Sequence, residues 1–261
     1  MRCRNAEQDS AGRKKPPLVK QKLSEPKTDK ESNQTGEAEQ QYKEVGMKVE
    51  KKITGMLQEN CYLVISDAAT AVVVDPGDDA PLLVERIKEL GVELKAILIT
   101  HTHYDHIGAV DALREAFQVK SYVPAGEREM IADPLKNLSG LYADAAITAA
   151  ADESVDGGQV LDFGDGLRFE ALLVPGHSPY SICYYMPDSG CVFSGDTLFR
   201  QSVGRMDLYD GPATDLLNNI KEKLLTLPEK TVVYAGHGLN TTIRTEKNTN
   251  PFLTEDGLWM L

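Results

Sequence analysis

Three of this chain's five histidines fall within six positions, in the run His101-Thr102-His103-Tyr104-Asp105-His106. That run closes the apolar stretch 96–100. His177, in Pro-Gly-His-Ser, follows the apolar stretch 169–174, and His237, in Ala-Gly-His-Gly, follows 231–235. Each stretch has the length of a strand, and loops leaving strand ends converge where several strands finish at one edge of a sheet. A fold for this chain must gather those ends. Imidazoles mixed with carboxylates suit borderline divalent metals, and the absence of any CxxC argues against a thiolate-rich structural zinc site. Asp196, in Phe-Ser-Gly-Asp-Thr after the strand 191–194, is the carboxylate best placed to join the imidazoles. Five histidines with Asp105 and Asp196 are too many for one tetrahedral metal that keeps a water. They suit two metals sharing a ligand.

The surrounding sequence punctuates itself. Residues 61–66 and 71–74 read as strands around a polar turn at Asp67 and Ala68. Pro76-Gly77 ends the second. Asp78 or Asp79 caps a helix with Pro81 in its first turn, an apolar stripe of Leu82, Leu83, Ile87 and Leu90, and Gly91 as its stop. A strand over 96–100, a helix from His106 through Val110, Leu113 and Phe117, a strand over 119–123 and a short helix over 127–132 follow. Residues 133–158 show no period. Gly164-Asp165-Gly166 reads as a hairpin turn between 160–163 and 167–174, and 187–190 as another between 182–186 and 191–194. A helix is predicted over 212–227, with Leu216, Leu217, Ile220 and Leu224 on one side, and a last strand over 231–235. Hairpins mixed with strand–helix alternation favour a sandwich of sheets and helices over a uniform parallel barrel.

Composition divides the chain near Gly46. Residues 1–46 lack Ile, Phe and Trp and read as a disordered polar extension, because they cannot bury enough apolar surface to offset the entropy of ordering. The domain expected over 47–261 should fold without it. That domain is strongly acidic, within a whole chain whose formal charge is -12. Nucleic acid and anionic membrane surfaces are therefore not expected partners. No apolar run has the length of a membrane span. Cys61, Cys183 and Cys191 lie in or beside apolar strands and read as packed core thiols, which with the lack of a disulfide pattern places the protein in a reducing compartment, the cytoplasm.

The segments THTHYDHIGAV, PGHS, SGDTLF and AGHG together resemble the metal motifs of the metallo-β-lactamase-fold hydrolases. Within them the chain is most similar to the glyoxalase II (hydroxyacylglutathione hydrolase) group, through ENCYLV, FRQSVGRMDL and TTIRTEKNTNPFL as well. The resemblance implies an α+β, four-layer αββα sandwich with two divalent metals at one edge. Zinc is the usual occupant, and iron and manganese occur in relatives. It implies that His101, His103 and His177 hold the first metal, that Asp105, His106 and His237 hold the second, and that Asp196 bridges them. The implied reaction is attack of a metal-bridging hydroxide, oriented by Asp105, on a thioester such as S-lactoylglutathione or a related hydroxyacyl thioester. Only twenty-four residues follow His237, which matches the shorter single-domain members of the group rather than those with a helical domain that binds glutathione.

Around this centre, Asn60, Tyr104, Arg205, Arg244 and Lys247 are candidates for substrate contact or for support of the ligand loops. Two other classes compete with the hydrolase. An iron-dependent persulfide (sulfur) dioxygenase would use only His101, His177 and Asp196. A non-enzymatic metal-dependent binding module would hold metal without turnover. A nuclease lacks the expected basic patch, and a β-lactamase is disfavoured by Asp196 where many carry cysteine.

Overall fold

The computed structural model of the protein describes residues 46–209 and 214–254. The polar extension expected over 1–46 lies outside them but for Gly46, as do the first residues of the helix expected over 212–227.

The first sheet contains β1 (Met47–Thr54), β2 (Glu59–Ser66), β3 (Thr70–Val74), β4 (Glu93–Leu98), β5 (Lys120–Pro124) and β6 (Glu153–Val155), in that spatial order. The first three pair antiparallel, and β3 to β6 run parallel. The second sheet is built from β7 (Val160–Asp162), β8 (Arg168–Leu173), β9 (Ile182–Met186), β10 (Cys191–Gly195), β13 (Val232–Ala235) and β14 (Thr241–Thr242). Its order is β14-β13-β10-β9-β8-β7, with β10 and β13 parallel and every other pair antiparallel. A ribbon of β11 (Leu198–Phe199) and β12 (Ser202–Val203) follows β10. The helices are α1 (Ala80–Leu90), α2 (Val110–Phe117), the single turn α3 (Ser139–Tyr142), α4 (Thr214–Asn219) and α5 (Ile243–Thr249). Among the described residues no helix is long and apolar enough to cross a membrane.

The period of two along a strand sorts the core into layers. On β2, Tyr62 and Val64 face Phe169, Tyr184 and Phe193 of the second sheet, while Cys61, Leu63 and Ile65 face Leu83, Ile87, Val110 and Leu113 of α1 and α2. On the second sheet Cys183, Val192 and Val233 turn outward to Leu216 and Leu217 of α4, to Ile220 of the π-helical turn Ile220–Leu224 that continues it, and to Ile243 of α5. Helices, sheet, sheet and helices make the four-layer αββα sandwich. Aromatic rings fill its middle, where Phe193 and Tyr234 stack at 5.1 Å. Emptying such a position by Phe→Ala typically costs about 3–5 kcal/mol. Cys61, Cys183 and Cys191 are buried in these layers, and burial pushes the Cys183 thiol up to about 12.

Several local expectations need correction. The strand β1 carries Lys48, Glu50, Lys51 and Lys52 and shows little apolar alternation, yet it pairs with all of β2 because an edge strand tolerates charge. The helix expected from His106 starts only at Val110. Residues Tyr104–His106 form a 3-10 turn, and Ala109 N–H is held by the Pro76 carbonyl before the helix begins. The helix expected over 127–132 is instead a pair of 3-10 turns, Ala125–Glu127 and Met130–Ala132. Leu82 is exposed, so the buried stripe of α1 reduces to Leu83 and Ile87.

Strand direction explains where the chemistry lies. β8, β10 and β13 run the same way and release their C-terminal ends at one edge; β3 and β4 do so in the first sheet. The two edges are stitched together. Asn60 N–H donates to the Gly236 carbonyl at 2.7 Å, Ile182 N–H to the Thr100 carbonyl at 2.8 Å, and the buried Tyr62 hydroxyl to the Ala235 carbonyl at 2.7 Å.

Candidate metal centre

At that stitched edge the seven expected side chains meet. His101 and His106 are fully buried, His103 and His177 nearly so, and His237 is the most open at 28 % side-chain exposure. Among the described residues four clusters have ligand atoms within 4.8 Å of one another: His101, His103 and His177; His101, His106 and Asp196; Asp105, His106 and His237; and, behind the His106 ring, Glu59, Asp75 and His106. Asp196 stands between them. Its Oδ1 is 3.4 Å from His106 Nε2, and its Oδ2 is 3.6 Å from His177 Nε2 and 3.5 Å from His237 Nε2.

The outer hydrogen bonds decide which nitrogen of each ring carries the proton. The Thr100 hydroxyl donates to Asp75 Oδ2 at 2.6 Å, so it can only accept from His101 Nδ1 at 3.1 Å. His106 Nδ1 lies 3.2 Å from the same Asp75 oxygen and donates to it. His177 Nδ1 faces the Arg205 carbonyl at 3.1 Å, an acceptor only. Tyr209 donates its single hydroxyl proton to the Lys136 carbonyl and therefore accepts from His103 Nε2 at 3.0 Å. The other nitrogen of each of these rings turns inward, as a bare lone pair on His101, His103 and His177 and toward Asp196 Oδ1 at 3.4 Å on His106. His103 Nδ1 and His177 Nε2 face each other at 3.0 Å with no proton between them. His101 Nε2, His106 Nε2 and Asp196 Oδ1 are buried with no hydrogen-bond partner. Orphaned acceptors of this kind cost free energy unless a cation satisfies them, and an all-nitrogen-and-oxygen set suits zinc, iron or manganese.

Charge gives the same reading. Burial lowers the pKa of His101 and His177, and takes His103 to about 3, keeping those rings neutral as ligands must be. Burial acts the same way on His106, but the Asp196 and Asp105 carboxylates outweigh it and raise that ring well above its ordinary value. His237 is also raised, by its contact with Asp105 at 3.2 Å, against its own burial. Asp196 stays ionised although buried, because His106, His177 and His237 surround it. The cage attracts positive charge. A metal entering it displaces protons, so its affinity is expected to weaken as the pH falls.

The remaining candidates divide. Asn60 is buried, and its amide donates to the Ala235 and Gly238 carbonyls at 2.8 and 3.0 Å, which fixes the His237 loop and leaves no donor for substrate. Tyr104 is half-buried in the ligand loop, where burial and then Asp105 raise its phenol. Arg205 supports His177 through its carbonyl, while its guanidinium turns outward to Asp207. Arg244 is misplaced as a substrate anchor. It pairs with Glu229 at 3.1 Å, before the N-terminal end of β13, whereas His237 follows the C-terminal end. Lys247 is exposed on the same helix, α5.

Four contributors escape sequence reasoning. Asp75, at φ 49° just beyond β3, also accepts from Thr100 N–H and so sets the orientation of both His101 and His106. Glu59 lies fully buried, 3.8 Å from His106, and burial lifts its carboxyl well above the usual range. Tyr209 stacks on His103. Glu127 reaches two of the ligand loops. An acid closing an apolar strand, as Asp75 does, is the one signal that could have been found.

A model of the metallo-β-lactamase superfamily matches residues 54–237. The chain is 43% identical over 208 residues to a probable metallo-hydrolase of Bacillus subtilis, covering 79% of this chain and 98% of that protein. It is 36% identical over 198 residues to a hydroxyacylglutathione hydrolase of Haemophilus influenzae, covering 75% and 93%. Among solved structures, the BLEG-1 B3 metallo-β-lactamase aligns with a TM-score of 0.76 at 43% identity, over 79% of this chain and 99% of the other. TTHA1623 in a di-iron-bound form aligns at 0.65 with 38% identity, over 78% and 100%.

Proposed function

This chain belongs to the metallo-β-lactamase superfamily, and on that premise we propose that it is a dinuclear metal-dependent hydrolase of thioesters, with residues 47–261 as its hydrolase domain. His101, His103 and His177 would hold one cation and Asp105, His106 and His237 the other, with Asp196 placed to serve both. The observation that carries this is the inward convergence of imidazole nitrogens on an ionised carboxylate, with His101 Nε2, His106 Nε2 and Asp196 Oδ1 buried and lacking partners. A di-iron relative means that iron stands beside zinc as a candidate occupant.

Two divalent cations supply a Lewis acid for a carbonyl oxygen and bring the pKa of water to about 7. The chain's own residues do the rest. Asp105, with Oδ2 beside His237 Nε2, orients the attacking water and holds its proton. Water oxygen bonds to the acyl carbon, the carbon–sulfur bond breaks, and the thiolate takes a proton to leave as thiol. A thiol of pKa about 8.5 needs little help to leave, so no separate general acid is required. His237 is the open side of the cage, where substrate enters.

The acyl and thiol specificity follows the relative named as a hydroxyacylglutathione hydrolase, with S-lactoylglutathione as the substrate to test first. Arg205 is paired with Asp207 and Arg244 with Glu229, so the two carboxylates of the glutathione part find weak anchorage and the KM should be high with a usable kcat. The test compares S-lactoylglutathione, an uncharged short-chain acyl thioester and a β-lactam, with oxygen uptake on glutathione persulfide as a fourth arm. Thioester cleavage by the metal-loaded protein is expected. Faster β-lactam opening would move the substrate to that class, and oxygen consumption without thioester cleavage would move the reaction to a dioxygenase.

A further inference from the structure

Glu127 lies outside every residue group considered above as a ligand, yet it is fully buried and its carboxylate reaches both sheets' ligand loops. Its Oε2 accepts from Thr102 N–H at 2.7 Å and from the Thr102 hydroxyl at 2.9 Å, at the residue between His101 and His103. Its Oε1 accepts from Tyr180 N–H at 3.0 Å and from the hydroxyl of Ser178, the neighbour of His177. From these contacts we infer that Glu127 is a positioning residue that clamps the His101–His103 loop to the His177 loop and thereby sets the occupancy of one cation site only. The inference rests on the two-site reading of the cage.

The donor inventory shows why a carboxylate is needed. Each oxygen meets one backbone N–H that cannot rotate away, Thr102 on one side and Tyr180 on the other. A glutamine of the same shape must place its NH2 against one of those donors, whichever way its amide turns. One ligand loop is then pushed off. The Asp105, His106 and His237 group has separate supports: Asp75 on the His106 ring, the Asn137 carbonyl on Tyr104 N–H, and Asn60 on the His237 loop. Loss of the clamp should therefore fall on the first group and spare the second.

The experiment places Glu127→Gln in two backgrounds, His237→Ala, which leaves the first group intact, and His103→Ala, which leaves the second. Zinc affinity is read by competition with a chromophoric chelator, and circular dichroism with thermal melting of the zinc-free proteins reports folding. In the His237→Ala background Glu127→Gln should weaken zinc binding about 10–100-fold, the usual consequence of losing an outer partner of a metal site. In the His103→Ala background it should leave the affinity unchanged. Equal losses in both backgrounds, or no loss in either, would overturn the clamp. If Glu127→Gln does not fold, Ser178→Ala, which removes one donor without introducing a clash, carries the same comparison with a smaller loss confined to the His237→Ala background; a loss in both, or none, overturns it. Failure of the unmodified chain to bind a second zinc would instead overturn the two-site reading beneath it.

Discussion

Asp196→Ala is expected to lose metal and rate together. Its two oxygens lie within 3.6 Å of His106, His177 and His237, so it is the side chain common to both proposed cation sites. Removing it also takes away one of the two carboxylates that raise His106 and His237 and draw positive charge into the cage, leaving only Asp105 for that part. The metal content should fall below one per chain, and hydrolysis by roughly a thousandfold or more, of the size seen when a preorganised charge is taken from a reacting centre. Arg205→Ala keeps the backbone carbonyl that holds His177 and loses only a guanidinium paired outward with Asp207, so it should retain its metals and most of its rate. Near-normal hydrolysis with full metal content in Asp196→Ala would remove that residue from its position between the two ions.

Gly236→Ala should be nearly as damaging, for a steric reason. A Cβ at that position would stand 2.3 Å from Asp196 Oδ1 and 2.8 Å from His106 Cε1, inside the cage itself. Overpacking of this kind usually costs about 1–3 kcal/mol, but here the displaced atoms are the proposed ligands, so metal affinity should fall more than the melting temperature. Gly238, two residues on, supplies the contrast. It has φ +73° and open space around its missing Cβ, so Gly238→Ala meets only backbone strain of about 1 kcal/mol and should keep its metal. Paired metal analysis and thermal melting of both variants checks the point. Equal metal loss in the two would mean that loop strain, rather than filling of the cage, governs the site.

The parts of this molecule that sequence made legible are those where one residue type has few alternative uses. Histidine is scarce in this chain, and five placed after strand-like stretches left little room for another interpretation. The strands β2, β3, β9, β10 and β13 are buried on both sides and carry apolar runs through their middles, so run length marks them although β2 opens on Glu59 and Asn60. The supporting carboxylates were illegible for the opposite reason. Glu59, Asp75 and Glu127 are three of forty acidic residues, and nothing local separates an acid that holds a ligand loop from one in solvent. The charged face of β1 hid a strand whose partner, β2, lies across a turn at Gly55. Arg244 looked available because it follows His237 closely in sequence, but β14 folds back along β13 and carries it to the other end of the sheet.

Seven side chains at one edge of the sandwich are proposed to form a centre for two metals. Elemental analysis of the untagged protein, reconstituted in turn with zinc, iron and manganese, tests it directly. The geometry predicts about two metals per chain with at least one of them, since the His101–His103–His177 and Asp105–His106–His237 clusters lie on either side of Asp196, whose Oδ2 is 3.6 Å from His177 and 3.5 Å from His237. A firm value of one metal per chain with every ion would contradict the dinuclear account and favour a mononuclear site on His101, His177 and Asp196.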